Sequence, residues 1–265
     1  MSINANDILF YLSGGAANTN PTKSFGGEQS NTQLLSGLNA LFPNVSQRQA
    51  ESGHVDYLCI YAVNNSKKDT LYSAKFSLTK ETQSGCQCAL GIVKQPEVQQ
   101  LVITTTATKG TFHVRFGKIR FQCEWEPNAD LMAQRLQTAL EKEGVPDVTV
   151  QSLTKKLPNY IFQITLGNRA EPLVEIFKID LNQSQVAATK RITTGAPINS
   201  IAYQISSSIE EPPLITWRDG SLEVGDMLPG DTVPVWIRRT TENNTAALQN
   251  DGIAITITGQ PNPVS

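Results

Sequence analysis

Short stretches of alternating apolar and polar residues run along most of the chain, and they predict β-strands. Ile8–Leu12 is a short apolar run between polar turn residues. Residues 54–63 are apolar on both faces, which predicts a strand buried on both sides. Residues 70–80 have one dry and one wet face. Short strands separated by turns, without repeating βα units, predict a mainly β protein with a β-sandwich or jelly-roll-like fold.

The middle of the chain has a different pattern. Residues 110–125 read as a hairpin that turns at Gly117-Lys118. Residues 127–144 carry the apolar spacing of an amphipathic helix, with Asn128 as its N-cap. We therefore expect a small α+β domain, built from an antiparallel sheet and one helix.

The change of pattern sets the predicted domain boundaries. The middle pattern begins near Pro96, and the first pattern returns after Pro212-Pro213. Residues 1–95 and 209–265 are predicted to form one discontinuous β-sandwich base domain, with residues 96–208 inserted as the α+β domain. Insertion requires the ends of the inserted domain to lie close together, which is common for small domains.

Residues 13–33 are rich in Gly, Asn, Ser and Thr and predict a long loop. A loop of this length is usually functional or docked on another surface. We interpret it as a flexible arm that becomes ordered on a neighbouring protein. Residues 34–42 have the spacing of a short helical turn that Pro43 ends.

Charge and hydropathy limit the partners. The chain has 22 Lys and Arg against 24 Asp and Glu, a net charge of −2. Proteins that bind duplex nucleic acid gain affinity by neutralising phosphates, so no nucleic-acid partner is expected. No apolar run reaches the ~20 residues of a membrane helix, and the N-terminus lacks the features of a signal peptide. We therefore expect synthesis in a cytoplasm and four free cysteine thiols.

Two groups of residues invite a chemical role. Cys86-Gln87-Cys88 is the sharpest metal-like pair, but structural zinc prefers C-x2–4-C pairs. Cys59 and Cys123 are expected to be small buried hydrophobes, with a zinc site as the alternative. No metal and no cofactor is therefore predicted.

The only two histidines, His54 and His113, are not accompanied by a nucleophile motif such as G-x-S-x-G. We interpret both as surface residues. No catalytic residue is predicted, and the chain is expected not to be an enzyme. A hydrolase is the alternative, for which no set of polar catalytic residues can be assembled.

The segment VPVWIRRTTENN, residues 233–244, places two arginines after a tryptophan. Strand alternation puts Val235, Ile237 and Arg239 on one face, with Trp236 and Arg238 on the other. We predict that Val235 and Ile237 are core and that Trp236 and Arg238 face a neighbour, because Trp and Arg are frequent interface hot spots. The alternative is that Arg238 or Arg239 pairs with a carboxylate of the same chain. The interface candidates are Trp236, Arg238, Arg239 and Phe25.

Five ordered segments of the middle region, covering about residues 97–170, are VQQLVIT, GTFHVRFG, ADLMAQRLQTALEKEG, PDVTVQS and YIFQITLG. They resemble a small repeat-type domain of tailed-phage virion proteins. The segments KIRFQCEW and RAEPLVEIFKIDLNQSQ depart from that pattern. The flanking segments YLSGGAANTN…SFGG, LFPNVSQRQAESGHVDYLCIYAVNN and VPVWIRRTTENNTAALQNDGIAITITG are similar to structural proteins of tailed phages, in which the two flanks are joined directly.

The resemblance implies a non-enzymatic structural component of a tailed-phage virion, assembled in the host cytoplasm. A capsid decoration or cement protein is favoured, with the major capsid protein or other virion proteins as partners and a homo-oligomer, trimer or ring, as its assembly state. One alternative is a position in the neck, tail or baseplate. Another is that the inserted domain adheres to a glycan or protein of the host surface, although its aromatic residues occupy core-like positions. Those aromatic residues are Phe112, Phe116, Phe121, Trp125, Tyr160 and Phe162.

Overall fold

A computed structural model describes residues 7–35, 40–81, 86–154, 156–183, 185–245 and 253–260. The elements, in chain order, are β1 (Ile8–Ser13), β2 (Gln29–Gln33), α1 (Gln47–Ser52), β3 (His54–Asn64), β4 (Leu71–Glu81), β5 (Cys86–Val93), β6 (Val98–Thr105), β7 (Gly110–Phe116), β8 (Ile119–Glu124), α2 (Ala129–Lys142), β9 (Thr149–Ser152), β10 (Asn159–Thr165), β11 (Val174–Leu181), β12 (Gln185–Thr193), β13 (Ile215–Arg218), β14 (Ser221–Met227), β15 (Thr232–Thr241) and β16 (Ile253–Gln260).

The fold is mainly β, as the sequence predicts. Within the described ranges every pairing between these strands is antiparallel. Neither helix in those ranges is long and apolar enough to cross a membrane. The chain divides into two compact units, Met1–Lys94 with Pro197–Ser265, and Gln95–Ala196.

The first unit is a β-sandwich. Its larger sheet has the order β13-β5-β15-β3-β1-β2, and its smaller sheet has the order β14-β4-β16. Apolar side chains of the two sheets meet in one core. Ile60 and Val235 come from the larger sheet, and Phe76 and Leu222 come from the smaller one. The predicted core positions Val235 and Ile237 are confirmed, since neither is exposed to solvent.

The second unit also has two sheets, where the sequence predicted one small sheet. Their orders are β12-β6-β10-β9 and β11-β7-β8, and their apolar faces enclose a common core. Helix α2 lies against β9 and β8 and covers the same core with Leu136 and Leu140. The predicted N-cap is confirmed, because the Asn128 side chain accepts hydrogen bonds from the backbone N–H groups of Asp130 and Leu131.

The C-terminal boundary of the second unit lies at Ala196, not at the predicted residue 208. Gln95 and Ala196 exchange backbone hydrogen bonds of 3.1 and 2.9 Å, which brings the two ends of the unit side by side. Residues 197–208 belong to the first unit, because buried residues of this segment pack on the larger sheet. Pro212-Pro213 marks the end of this packed segment and not the domain boundary.

Two local predictions also need correction. The segment 13–33 is not one loop, since it contains a short 3-10 turn at Pro21–Lys23 and strand β2. The helix α1 was not predicted, although Ser46 and Gln49 form its capping box. The predicted helical turn at 34–42 falls in part on residues 36–39, which lie outside the described residues.

Candidate interface on the six-stranded sheet

The larger sheet of the first unit has a second apolar face, opposite the sandwich core. Two segments of the chain cover it, the glycine-rich segment 13–33 and the covering segment 197–208. Gly27 N–H donates to the Ala202 carbonyl at 3.1 Å, and Ile205 N–H donates to the Phe25 carbonyl at 2.9 Å, so the two segments are also joined to each other. The buried members of this cluster are Tyr57, Cys59, Tyr61, Ala202, Ile205 and Trp236.

The phenol of Tyr61 joins both covering segments to the sheet. Its hydroxyl donates to the Gly27 carbonyl at 2.6 Å and accepts from Ala202 N–H at 2.9 Å. Burial raises the pKa of Tyr61 above its ordinary value. The hydroxyl therefore keeps its proton, which the bond to Gly27 requires.

The glycine-rich segment is docked on its own chain, and the expectation of a free arm is wrong. Ser13 Oγ donates to the Cys59 carbonyl at 2.9 Å and accepts from Gly26 N–H at 3.0 Å. Asn18 Nδ2 donates to the Ser13 carbonyl at 2.6 Å. These bonds satisfy the backbone of the segment within the protein, so no neighbour is needed to order it.

Gly26 permits the close approach of the covering segments. Its φ is 82°, a conformation that favours glycine, and a Cβ there would lie 1.8 Å from the Tyr203 carbonyl oxygen and 2.9 Å from the Trp236 ring. The sequence motif SFGG therefore has a packing role in this protein.

Two of the four interface candidates are inside the protein. Trp236 is 1% exposed beneath the covering segments, and Arg239 is 3% exposed on the other face of the sheet. The prediction that Trp236 faces a neighbour is wrong, because residues 197–208 cover the face on which it lies. Phe25 is half-buried against the same cluster.

Arg239 forms an ion pair within the chain. Its NH2 group lies 2.7 Å from Asp56 Oδ2, and its NH1 group donates to the Pro43 carbonyl at 2.7 Å. Its guanidinium also lies over the Phe42 ring, 4.6 Å from the centroid. Asp56 accepts a further bond of 3.0 Å from Ser208 Oγ, which ties the covering segment to this pair. The predicted alternative, pairing with a carboxylate of the same chain, is correct for Arg239.

Arg238 is the candidate that remains at the surface. Its guanidinium lies 5.1 Å from the centroid of the Trp217 ring, and its NH2 group is 3.7 Å from Asp219 Oδ1. The side chain is 31% exposed. Burial raises the pKa of Tyr57, which packs on Trp217; Glu211 adds to this effect and Arg238 opposes it. The contacts with Trp217 and Asp219 hold Arg238 at the margin of the covered face.

Four large apolar side chains between residues 201 and 214 are exposed to solvent. Ile201 is 67%, Tyr203 53%, Ile209 65% and Leu214 77% exposed. On the covering segment, Ile201 and Tyr203 alternate with the buried Ala202, and the exposed polar residues Gln204 and Ser206 follow. We call the four exposed residues, together with Arg238, the outer apolar surface. The sequence did not indicate this surface: Ile201 and Tyr203 were assigned to the inserted domain, and the exposure of Ile209 and Leu214 was not predicted.

The cysteines give no sign of a metal centre. All four are buried free thiols, which confirms the expectation for Cys59 and Cys123. Cys86 Sγ lies 3.2 Å from Thr241 Oγ1. Burial raises the pKa of Cys59 and raises that of Cys123 to about 11, which disfavours the thiolate that binds metals. In the part of the chain that the structure describes, no three His, Cys, Asp or Glu side chains converge as ligands.

One histidine contacts a carboxylate and the other an aromatic ring. His54 Nε2 lies 3.0 Å from Asp56 Oδ1, and the nearby Ser208 hydroxyl donates to Asp56 and not to the histidine. His113 stacks on Phe177 at 5.7 Å. Over the described ranges no hydrogen bond joins either imidazole to a serine or cysteine, as general-base activation of such a nucleophile would require.

Comparison with known proteins adds little. No protein-family model matches the chain, and no curated protein matches it. The D1-D2-D3 domains of the flagellar cap protein FliD from Escherichia coli are 10% identical over 73% of this chain and 56% of that chain, with a TM-score of 0.21. The D2-D3 domains of the same protein are 10% identical over 78% of this chain and 100% of that chain, again with a TM-score of 0.21. Similarity at this level assigns neither a fold nor a function.

Gly26→Ala should destabilise the first unit. The new methyl group must displace the Tyr203 carbonyl and adopt an unfavourable φ, so we expect a loss of about 2–5 kcal/mol in the free energy of unfolding. Gly15→Ala is the matched control, because its φ is 89° but no atom lies within 4 Å of the added Cβ. It should lose about 1–2 kcal/mol. Equal losses in urea titrations would show that Gly26 does not pack against the covering segment.

Asp56→Ala should leave Arg239 buried without its partner. We expect a loss of about 3–5 kcal/mol in the free energy of unfolding. Asp219→Ala is the control, because its carboxylate is 90% exposed beside Arg238. It should cost less than about 1 kcal/mol. A double variant, Asp56→Leu with Arg239→Met, should recover part of the loss, and its failure to do so would contradict the charge-based explanation.

Proposed function

We propose that the chain is a structural component of a tailed-phage virion that contacts neighbouring virion proteins through the outer apolar surface. The observation that carries the proposal is this surface itself. Several large apolar side chains exposed within one short stretch of chain, and an arginine held over a tryptophan ring, are typical of protein–protein contact sites. The net charge of −2 does not favour nucleic acid as the partner.

The resemblance of the two flanks to tailed-phage structural proteins supports the proposal. Two of the segments that carry it lie at the covered face: SFGG contains Gly26 and Gly27, and VPVWIRRT forms most of strand β15. The segments that carry the resemblance thus include Gly26 and Trp236, which residues 202–205 pack against.

Within this class we favour a capsid decoration or cement protein bound to the major capsid protein as a trimer or ring. Such a protein stabilises a shell from outside, which suits a β-rich surface of low net charge that makes many small contacts. A position in the neck, tail or baseplate is the alternative. Imaging of the intact particle distinguishes them, since copies spread over the shell support decoration and a single ring at the tail refutes it.

Arg238→Glu should reduce incorporation into particles at least about tenfold while leaving folding nearly intact, because truncating an interface hot spot typically costs 2 kcal/mol or more of binding. The loss of the exposed contact with Asp219 should cost less than about 1 kcal/mol of folding stability. Incorporation is measured by quantifying the variant in purified particles, and folding by thermal unfolding of the isolated protein.

Two further variants sharpen this test. Leu214→Asp removes an exposed apolar contact without touching the core, so it should also reduce incorporation. Arg48→Glu changes an exposed arginine on α1, outside the outer apolar surface, and should leave incorporation unchanged. Unfolding of the isolated Arg238→Glu protein would show that the arginine is an internal contact. Normal incorporation of both surface variants would refute the interface.

One observation favours a second function, adhesion to a host surface by the second unit. The six aromatic residues noted in the sequence lie at core positions, as expected, with only Phe121 half-buried. Phe177, however, is 48% exposed on the outer face of the β11-β7-β8 sheet, with His113 and Arg120 beside its ring at 5.7 and 5.8 Å. Binding of the full chain to host cells or a glycan array, lost in Phe177→Ala, would support adhesion.

A further inference from the structure

Strand β8 has an open hydrogen-bonding edge. It is the last strand of the β11-β7-β8 sheet and pairs with β7 across the two-residue turn at Gly117-Lys118. Phe116 and Ile119 close that turn, so residues 119, 121 and 123 bond to β7. Residue 125 is the next in this series, and the backbone N–H of Trp125 donates to the Gly110 carbonyl at 2.9 Å, as the alternation requires. The backbone groups of residues 120, 122 and 124 therefore point away from the sheet.

The other edge strands of the described sheets each carry a feature that discourages pairing with another chain. Short length, bulges and covering elements are the usual protection of sheet edges. Strands β9 and β13 have only four residues each, and α2 contacts both β9 and β8. The pairings of β2, β11, β12, β14 and β16 contain register shifts. Strand β8 has six residues and pairs with β7 without a shift.

A groove runs along the open edge. It has a volume of about 570 Å3, and its walls are the β8 residues Phe121–Glu124 and one face of α2, including Leu131 and Arg135. Leu131 is 48% exposed there. A strand added to this edge would lie ~4.8 Å from β8.

The charges of β8 indicate which strand fits. Arg120 and Glu124 lie on the outward face, two residues before and two residues after Gln122. Glu124 lies 3.5 Å from Arg135 of α2, but its side chain is 80% exposed, and an ion pair this exposed is weak enough to be exchanged for another. A two-fold axis through Gln122 places each arginine opposite the glutamate of the other strand. We propose that β8 pairs antiparallel with β8 of a second copy, with Gln122 opposite Gln122, to join two three-stranded sheets into one of six strands.

This register satisfies the backbone as well as the charges. Residues 120, 122 and 124 carry the free N–H and C=O groups, and it sets them opposite residues 124, 122 and 120 of the second copy. Centring the pair on Arg120 or on Glu124 would instead oppose like charges, which is destabilising. On the inner face the register sets Phe121 opposite Cys123. Burial raises the pKa of Cys123 to about 11, so this pair is uncharged.

An extended peptide from an unrelated protein would use the same backbone groups, but it has no reason to carry the matching charges. The self-complementary arrangement therefore favours a second copy. The pairing stands independently of the virion proposal, since it involves the second unit and the outer apolar surface belongs to the first.

Analytical ultracentrifugation of the full chain tests the pairing. The wild-type chain should show a concentration-dependent dimer. Arg120→Glu puts two like-charged pairs in each dimer, so we expect the dissociation constant to rise at least about tenfold. Glu124→Arg should do the same. The double variant, Arg120→Glu with Glu124→Arg, should restore dimerisation because the charges are again opposite.

The charge-swap comparison guards against misfolding, since each single variant has a partner that rescues it. Circular dichroism of all three variants should match the wild type, because both side chains are exposed. A wild-type chain that stays monomeric overturns the proposal. So does a dimer that Arg120→Glu leaves unchanged, or a loss that the double variant fails to restore.

Cross-linking tests the register. Gln122→Cys should form a disulfide-linked dimer under mild oxidation, because facing residues of a hydrogen-bonded antiparallel pair have Cα atoms ~5.5 Å apart. Arg120→Cys is the matched control: the two introduced thiols would be four strand positions apart and should not cross-link. The wild-type chain controls for its four buried cysteines. Cross-linking of Arg120→Cys as fast as Gln122→Cys overturns the register and, with it, the pairing proposed.

Discussion

The burial of Trp236 is the interaction on which the first unit depends. Strand β15 lies between β3 and β5 in the larger sheet. Consecutive residues of this strand are buried, so both of its faces are covered. The sandwich core covers one face. The glycine-rich segment and residues 197–208 cover the other face at the Trp236 indole. Full burial of a large apolar side chain contributes about 1.5–3 kcal/mol to stability. The contact therefore holds in place two segments that have no regular structure of their own over much of their length.

The burial of Trp236 also decides which side chains of the covering segment remain exposed. Because Ala202 and Ile205 face Trp236 and Tyr61, Ile201 and Tyr203 on either side of Ala202 point outward. Ile201 and Tyr203 are apolar all the same, although nothing in the described part of this unit buries them. Exposed apolar patches are frequent at protein–protein contact sites. The apolar residues at these outward positions agree with the proposed contact with a second protein.

Much of the fold follows from local patterns, and what does not follow depends on distant contacts. The alternation of Val235, Trp236 and Ile237 specified both the strand and its two faces, and the hairpin and α2 were equally clear. Alternation cannot show what lies over a face, so the covering of Trp236 was missed. The partner of Arg239 was also hidden, because Asp56 is 183 residues away in sequence. Strand β12 is mostly polar and exposed, so it lacked the apolar signal of a strand.

The two surfaces differ in the physics that makes them specific. The proposed contact through the outer apolar surface would gain affinity from apolar area, which is not directional and accepts partners of many shapes. The proposed pairing of β8 would gain affinity from backbone hydrogen bonds and two charge pairs, which fix orientation and register. A strand edge left open without such fixed charges would pair with any extended chain. Arg120 and Glu124 oppose the two registers of β8 with itself that are centred on either residue, and they favour the proposed register centred on Gln122. Since that pairing lies on a different unit from the outer apolar surface, either surface can be removed by substitution while the other is kept.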